Sequence, residues 1–103
     1  METIHTLGKT SEIPEGYSKC YEVEDRRIAV FNVEGHFFAI DDACPHAGAP
    51  LSESEPEDLK VTCYWHGATF NLQDGKCTVQ GEFPDVEAYP VQIDNGEIQI
   101  KIT

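Results

Sequence analysis

Basic residues are scarce in this sequence, which has seven Lys and Arg against nineteen Asp and Glu and a formal net charge of −12. A surface of that charge repels phosphate backbones and anionic membranes, so we expect neither nucleic acid nor lipid as a partner. Composition leaves two interpretations of the charge open. It keeps the protein soluble, or it also steers the protein toward a basic face of a partner.

Long apolar runs are also missing. No run approaches the roughly 18 residues that a membrane span requires. Residues 1–16 lack the basic stretch and apolar core of a secretion signal. These absences predict a cytoplasmic protein, in which thiols stay reduced. The four cysteines are therefore expected to be ligands or core residues and not two disulfides.

Sustained helical periodicity with capping residues at both ends is absent as well, which favours an all-β protein. Short apolar runs and turn dipeptides predict strands at residues 4–7, 19–23, 28–33 and 36–40, and turns at 24–26, 34–35, 74–75 and 95–96. The acidic segment 52–58 suits an exposed loop or a single helical turn. We expect one domain, residues 1–103, with two antiparallel sheets in a sandwich or partly closed barrel and a loop-built site at one end.

Two short stretches each combine one cysteine with one histidine. Cys44 and His46 lie in "DACPHAGAPL", and Cys63 and His66 lie in "VTCYWHGATF", which gives the pattern C-x-H-x16-C-x2-H. Thiolate and imidazole bind iron, copper or zinc, and four of them from two loops can complete a metal site. Structural zinc usually takes like ligands from one tight turn, whereas each stretch here mixes the two kinds. The mixture suits a two-iron cluster with a cysteine pair on one iron and a histidine pair on its neighbour.

Residues 44–48, "CPHAG", and 63–67, "CYWHG", resemble the two ligand boxes of the Rieske ferredoxins. These are small [2Fe-2S] electron carriers of bacterial ring-hydroxylating dioxygenases and related oxygenases. The resemblance implies a Rieske fold, with cluster-binding loops at about residues 42–51 and 62–70. We call residues 44–48 the first box and residues 63–67 the second box.

The resemblance also implies which residues bind the cluster. Cys44 and Cys63 would bind the buried iron, and His46 and His66 the outer one. Irons saturated by protein and sulfide leave no open position for oxygen or substrate, so no catalytic residue and no small-molecule substrate are expected. The chain also has no room for the mononuclear iron domain of a large Rieske oxygenase.

A soluble one-electron carrier is the function that the resemblance implies. It would take electrons from a flavin-dependent NAD(P)H reductase and deliver them to a terminal, aromatic-ring oxygenase. Two alternatives remain open, a redox-sensing or regulatory Rieske protein and a structural zinc module.

The remaining cysteines and histidines have plainer interpretations. Cys20 and Cys77 lie on predicted strands without a histidine at ligand spacing and are expected in the core. His5 and His36 are expected at the surface, near strand ends. Tyr64 and Trp65, inside the second box, are expected to shield the cluster from water. No second metal site follows from these residues.

The sequence departs from the respiratory, high-potential Rieske proteins at four positions. Ala49 and Trp65 replace their extra cysteine pair, so their disulfide cannot form here. Ala68 and Phe70 replace a serine and a tyrosine whose hydroxyls donate hydrogen bonds to cluster sulfurs. Because such bonds stabilise the reduced cluster, their absence predicts a potential toward the low end of the Rieske range.

Overall fold

Most of the chain that the structure describes is extended and paired into β-sheets. The computed structural model describes residues 3–42, 51–53, 56–57, 59–62, 69–76 and 86–102. These residues contain no α-helix but two short 3-10 helices, Thr10–Glu12 and Leu51–Glu53. The strands are β1 (Thr3–Lys9), β2 (Ser18–Val23), β3 (Arg26–Val33), β4 (His36–Asp41), β5 (Lys60–Thr62), β6 (Thr69–Asn71), β7 (Ala88–Tyr89), β8 (Val91–Asp94) and β9 (Glu97–Ile102).

The strands form three antiparallel sheets that are not closed into a barrel. The first has the order β1-β9-β8, the second β2-β3-β4-β7, and the third consists of β5 and β6. The predicted all-β, antiparallel architecture is confirmed. Among the described residues the expected two sheets become three, because β5 and β6, with three residues each, pair there with one another and with neither larger sheet.

The central strand β3 of the second sheet is buried on both faces. Ala29 and Phe31 of β3 belong to one hydrophobic cluster, which also contains residues of β5 and β6. Ile28 and Val30 belong to another, which contains the isoleucines of β9. Because successive strand residues face opposite sides, the second sheet lies between the first sheet and the β5–β6 hairpin. Burial on both faces explains why residues 28–31 read as an unbroken apolar run.

Three hairpin turns have two residues with positive φ each. The φ angles are 48° and 65° at Glu24-Asp25, 53° and 86° at Glu34-Gly35, and 53° and 76° at Asn95-Gly96. Such turns match the right-handed twist of the flanking strands. The turns predicted at 34–35 and 95–96 are confirmed. The bend predicted at 24–26 is one residue shorter, because Arg26 already pairs with Val23.

The Asp74-Gly75 dipeptide also forms a turn. The Gly75 amide donates to the Asn71 carbonyl at 2.7 Å, and the Val86 amide donates to the Gly75 carbonyl at 2.9 Å. Gly75 has a φ of 76°, and a Cβ there would lie 2.1 Å from the Val86 carbonyl oxygen, so the position requires glycine. The second strand of the predicted hairpin falls in residues 77–85, outside the described residues.

The acidic segment 52–58 starts within the 3-10 helix Leu51–Glu53, in agreement with the expected loop or single helical turn. Residues 54, 55 and 58 lie outside the described residues. In the part of the chain that the structure describes, no helix has the length and apolar character needed to cross a membrane.

Candidate metal centre

The four candidate ligands fall in two stretches outside the described residues. Cys44 and His46 belong to residues 43–50, and Cys63 and His66 to residues 63–68. The assignment of these side chains as ligands therefore stays a prediction. The structure does describe the segments on which each stretch begins and ends.

The second stretch connects the two strands of a hairpin. Thr62, the last residue of β5, is the register partner of Thr69, the first residue of β6. Directly opposed residues of antiparallel strands have Cα atoms about 4.5–5.5 Å apart. The chain therefore leaves and re-enters the sheet at one place, and Cys63 directly follows the last paired residue. Backbone pairing alone fixes the ends of this stretch.

The first stretch is closed by side-chain hydrogen bonds. Asp42 follows β4, and its backbone amide donates to the Arg27 carbonyl at 2.8 Å. The Ser52 amide donates to Asp42 Oδ1 at 2.6 Å, and the Ser52 hydroxyl donates to Asp42 Oδ2 at 2.7 Å. We call this pair of bonds the Asp42–Ser52 clasp. It joins the residue before the stretch to the 3-10 helix after it.

The ends of the two stretches share one core. Leu51 follows the first stretch, Val61 and Phe70 flank the second, and all three side chains are fully buried in the same hydrophobic cluster. The residues next to the two stretches thus belong to one cluster, and we call the three side chains of Leu51, Val61 and Phe70 the apolar base. Two cysteines and two histidines, the candidate ligands in these stretches, are a donor set that fits a two-iron cluster with mixed ligands.

Phe70 is the one described position among those that separate this chain from the respiratory branch. Its side chain is fully buried, with 0% solvent exposure, and it lies on β6, next to the second stretch. A phenyl ring cannot donate the hydrogen bond that a tyrosine hydroxyl supplies. Phe70 therefore offers no hydrogen-bond donor at this buried position.

Cys20 lies on β2 and is partly buried. Burial, and then its hydrogen bond with the Asp42 carboxylate, raise the pKa of the Cys20 thiol to about 11. A protonated thiol is a poor metal ligand, in agreement with its predicted structural role, although its burial is only partial. Cys77 lies outside the described residues.

Both histidines that were expected at the surface are in described strands. His36 is exposed and begins β4, as predicted. His5 lies in the middle of β1 and not at its end, with Nε2 at 3.5 Å from a Glu24 carboxylate oxygen and 25% of its side chain exposed. Among the described residues, no three His, Cys, Asp or Glu side chains converge as a metal site. The candidate centre therefore depends on the two boxes.

Sequence reasoning missed Asp42 and Ser52 as partners. Asp42 appeared only as the first residue of the first loop, and Ser52 as part of a polar segment. The two are ten positions apart, and no local periodicity connects them. A signal was present only in the chemistry, because Asp and Ser often bond to backbone or hydroxyl groups where a chain changes direction.

Comparison with known families matches residues 3–90 to the Rieske [2Fe-2S] domain. The match includes both boxes and the strands from β1 to β7.

Two relatives match most of the chain in sequence. The ferredoxin component of naphthalene 1,2-dioxygenase/salicylate 5-hydroxylase systems from Ralstonia sp is 32% identical over 91 residues, which are 88% of this chain and 88% of the relative. The 3-phenylpropionate/cinnamic acid dioxygenase ferredoxin subunit of Photorhabdus laumondii is 37% identical over 93 residues, which are 89% of this chain and 88% of the relative.

Three solved structures have a similar fold. The ferredoxin of carbazole 1,9a-dioxygenase from Nocardioides aromaticivorans IC177 has a TM-score of 0.87 and 24% identity, and the match covers 95% of this chain and 96% of that one. A putative NADH-dependent nitrite reductase small subunit from Mycobacterium tuberculosis has a TM-score of 0.89 and 22% identity, over 100% and 97%. A complex of reduced oxygenase and oxidized ferredoxin in carbazole 1,9a-dioxygenase matches with a TM-score of 0.83 and 24% identity, over 94% and 91%. At such identities the likeness concerns the fold, which these proteins share across different named systems.

Proposed function

This chain belongs to the Rieske [2Fe-2S] domain family, and on that premise we propose that it is the electron-carrying ferredoxin of a dioxygenase system. The observation that carries the proposal is its likeness, over 88% and 89% of its length, to two proteins named as ferredoxin components of such systems. Its cofactor is a Rieske-type [2Fe-2S] cluster. Its role is electron transfer and not catalysis.

For the site, we assign Cys44 and Cys63 to one iron and His46 and His66 to the other. The assignment is supported by the mixed Cys and His donor set. It is also supported by the burial of Leu51, Val61 and Phe70, next to the two stretches, in one hydrophobic cluster. The whole chain, residues 1–103, is taken as one Rieske domain with cluster-binding loops at about 42–51 and 62–70.

When bound, the cluster accepts and releases one electron, and histidine ligation raises its potential above that of an all-cysteine cluster. The residues of this chain supply the surroundings. The apolar base of Leu51, Val61 and Phe70 is fully buried and lies within two residues of the stretches along the chain. Apolar surroundings limit solvent access to a cluster and so affect its potential. Four protein ligands leave neither iron open for oxygen or substrate, so the oxygenation takes place on another protein.

The partners that we propose are a flavin-dependent NAD(P)H reductase and a terminal, aromatic-ring oxygenase, all in the cytoplasm. The names of the sequence relatives support a dioxygenase system, and a ferredoxin of this fold forms a complex with its oxygenase. A formal charge of −12 suits attraction to a basic docking face.

A reconstituted electron-transfer chain tests the function. The cluster-loaded protein is mixed with NADH, a flavin-dependent reductase and a terminal aromatic-ring oxygenase, and product is measured with and without the cluster-loaded protein. We expect product to require the loaded protein and to disappear with the His46→Ala variant.

The salt dependence of the rate tests the role of the charge. We expect the rate of reduction to fall as salt rises, because attraction between charges decays over a screening length of about 8 Å at physiological ionic strength. A salt-independent rate would assign the charge to solubility.

Metal analysis separates the alternatives. Equal amounts of iron and acid-labile sulfide, with a chromophore that bleaches on reduction, are expected for a Rieske cluster, whereas zinc without sulfide would reject it. A loaded protein that is reducible but never supports turnover would favour the redox sensor over the carrier.

A further inference from the structure

Asp42 is a buried carboxylate placed two residues before Cys44. Its side chain has 0% solvent exposure, and burial of a carboxylate costs several kcal/mol unless hydrogen bonds or charges compensate. Both of its oxygens accept bonds from Ser52, at 2.6 and 2.7 Å. The Cys20 thiol forms a further hydrogen bond with it. These donors offset the cost of burying the carboxylate, and an apolar residue in its place would leave the Ser52 amide and hydroxyl without this acceptor.

Ser52 is itself fixed to the second sheet. The Ser18 hydroxyl, at the start of β2, donates to the Ser52 carbonyl. The neighbouring Leu51 is fully buried in the cluster that also holds Val61 and Phe70. The clasp therefore connects the end of β4 to a 3-10 helix that is tied both to β2 and to the base of the second stretch.

The clasp fixes the distance between the two ends of the first stretch. The position of Asp42 is fixed by the hydrogen bond from its amide to the Arg27 carbonyl, at 2.8 Å. The position of Ser52 is fixed by the hydrogen bond that its carbonyl accepts from the Ser18 hydroxyl. The second stretch needs no such device because β5 and β6 pair through their backbones. In the first stretch, the described residues on the two sides belong to no common strand pair.

We propose that Asp42 and Ser52 are positioning residues for the cluster, and that their clasp sets the placement of Cys44 and His46 within the first box. The inference rests on the proposed ligand set. Groups that orient ligands from outside commonly change metal affinity by roughly 10- to 100-fold when they are removed.

The test compares Ser52→Ala, Ser52→Thr and Asp42→Asn in the full-length, cluster-loaded protein. Ser52→Ala removes one bond of the clasp and keeps the amide bond, whereas Ser52→Thr keeps the hydroxyl. We expect Ser52→Ala and Asp42→Asn to lose iron to a chelator roughly 10- to 100-fold faster than the wild type, with altered g values in the electron paramagnetic resonance spectrum. Ser52→Thr should restore both properties toward the wild type.

Asp41→Asn is the matched control, because it removes a negative charge one position away. Asp41 Oδ1 accepts from the Tyr89 hydroxyl at 2.6 Å, and Asp41 Oδ2 from the Glu87 amide at 3.2 Å, so its side chain is bonded toward β7 and not toward the first stretch. We expect this variant to keep the wild-type iron loss and g values. If Asp42→Asn does not fold, the Ser52 pair decides alone.

Unchanged iron loss and g values in Ser52→Ala and Asp42→Asn would overturn the proposal. Equal effects of Asp41→Asn and Asp42→Asn would also overturn it, because they would indicate a general effect of charge. A wild-type protein that never binds iron and sulfide would instead refute the cluster and ligand assignment on which the proposal is based, so the two failures are distinguishable.

Discussion

The two candidate cluster-binding stretches are bordered by residues that are held together by different physical means. The second lies between Thr62 and Thr69, which are paired in a backbone ladder, whereas the first is closed by the Asp42–Ser52 clasp, which consists of bonds to one carboxylate. A ladder uses amides and carbonyls that every residue but proline supplies. The clasp depends on the Asp42 carboxylate and, for one of its two bonds, on the Ser52 hydroxyl. The first stretch should therefore respond more strongly to substitution outside its ligands.

The largest expected effect is the same for both stretches, because it removes a ligand. Cys44→Ala and Cys63→Ala, one in each box, should both abolish the native cluster, because a site with three protein ligands leaves an iron coordinatively incomplete. Visible absorption and iron content measure the outcome. Cys20→Ala is the control and should keep the cluster. A native spectrum in either ligand variant would contradict the assignment of that cysteine.

A cavity in the apolar base should destabilise the structure next to both stretches. Phe70 is fully buried in the cluster that also holds Leu51 and Val61. Phe70→Ala should lower the free energy of unfolding by about 3–5 kcal/mol, the usual cost of a Phe-to-Ala cavity. Denaturant titration of the protein measures it. The control is Ile4→Ala, since Ile4 is 57% exposed and should change stability by less than about 0.5 kcal/mol. A small effect of Phe70→Ala would mean that the base is not a common support.

The clasp has a reporter in Cys20, whose thiol contacts Asp42. Because burial and this contact raise the pKa of Cys20 from 9.0 to about 11, its thiolate fraction at pH 8 is about 100-fold below that of an unperturbed thiol. Iodoacetamide should therefore modify Cys20 about 100-fold more slowly in the folded protein than in the unfolded chain. Peptide mapping by mass spectrometry distinguishes Cys20 from the other cysteines.

Asp42→Asn should speed this modification only in part. The substitution removes the carboxylate, whereas burial, the larger cause of the raised pKa, remains. Asp41→Asn should leave the rate unchanged, since the Asp41 carboxylate is bonded to Tyr89. Equal modification rates for the wild type and Asp42→Asn would show that the Asp42 carboxylate does not contribute to the raised pKa of Cys20.

Sequence alone predicted the parts of this fold that depend on neighbouring residues. The Glu34-Gly35 and Asn95-Gly96 turns follow from residues that tolerate positive φ, and the apolar run 28–31 marks a buried strand. Pairings between distant segments were not predictable in this way. Thr3 of β1 pairs with Ile102 of β9, and no local pattern connects them.

The candidate site divides along the same line. Its ligand assignment, which stays a prediction, comes from the chemistry and spacing of two short boxes, because Cys and His identify metal sites by type. Its supports were not predicted. The clasp joins Asp42 to Ser52 across the first stretch, and such a bond exists only once the chain has closed on itself.

The smallest expected effect concerns the redox potential and compares the two positions next to Thr69, position 68 in the second stretch and position 70 on β6. Serine at position 68 and tyrosine at position 70 would restore the hydroxyls that respiratory Rieske proteins direct at cluster sulfurs. Such hydrogen bonds stabilise the reduced, more negative cluster, and the wild type lacks both hydroxyls. We therefore expect its midpoint below about 0 mV, within the family range of about −150 to +300 mV. One such bond, at about 0.5–1.5 kcal/mol, should raise the midpoint by roughly 20–65 mV in Ala68→Ser.

Phe70→Tyr sharpens this measurement because Phe70 has 0% solvent exposure. A hydroxyl added at a buried position must find a partner or destabilise the protein. If it reaches a cluster sulfur, the midpoint should rise as in Ala68→Ser while the free energy of unfolding stays near the wild-type value. If it does not, stability should fall and the midpoint stay unchanged. Protein-film voltammetry at neutral pH gives the midpoints, and a wild-type value well above 0 mV would contradict the placement of this chain with the low-potential ferredoxins.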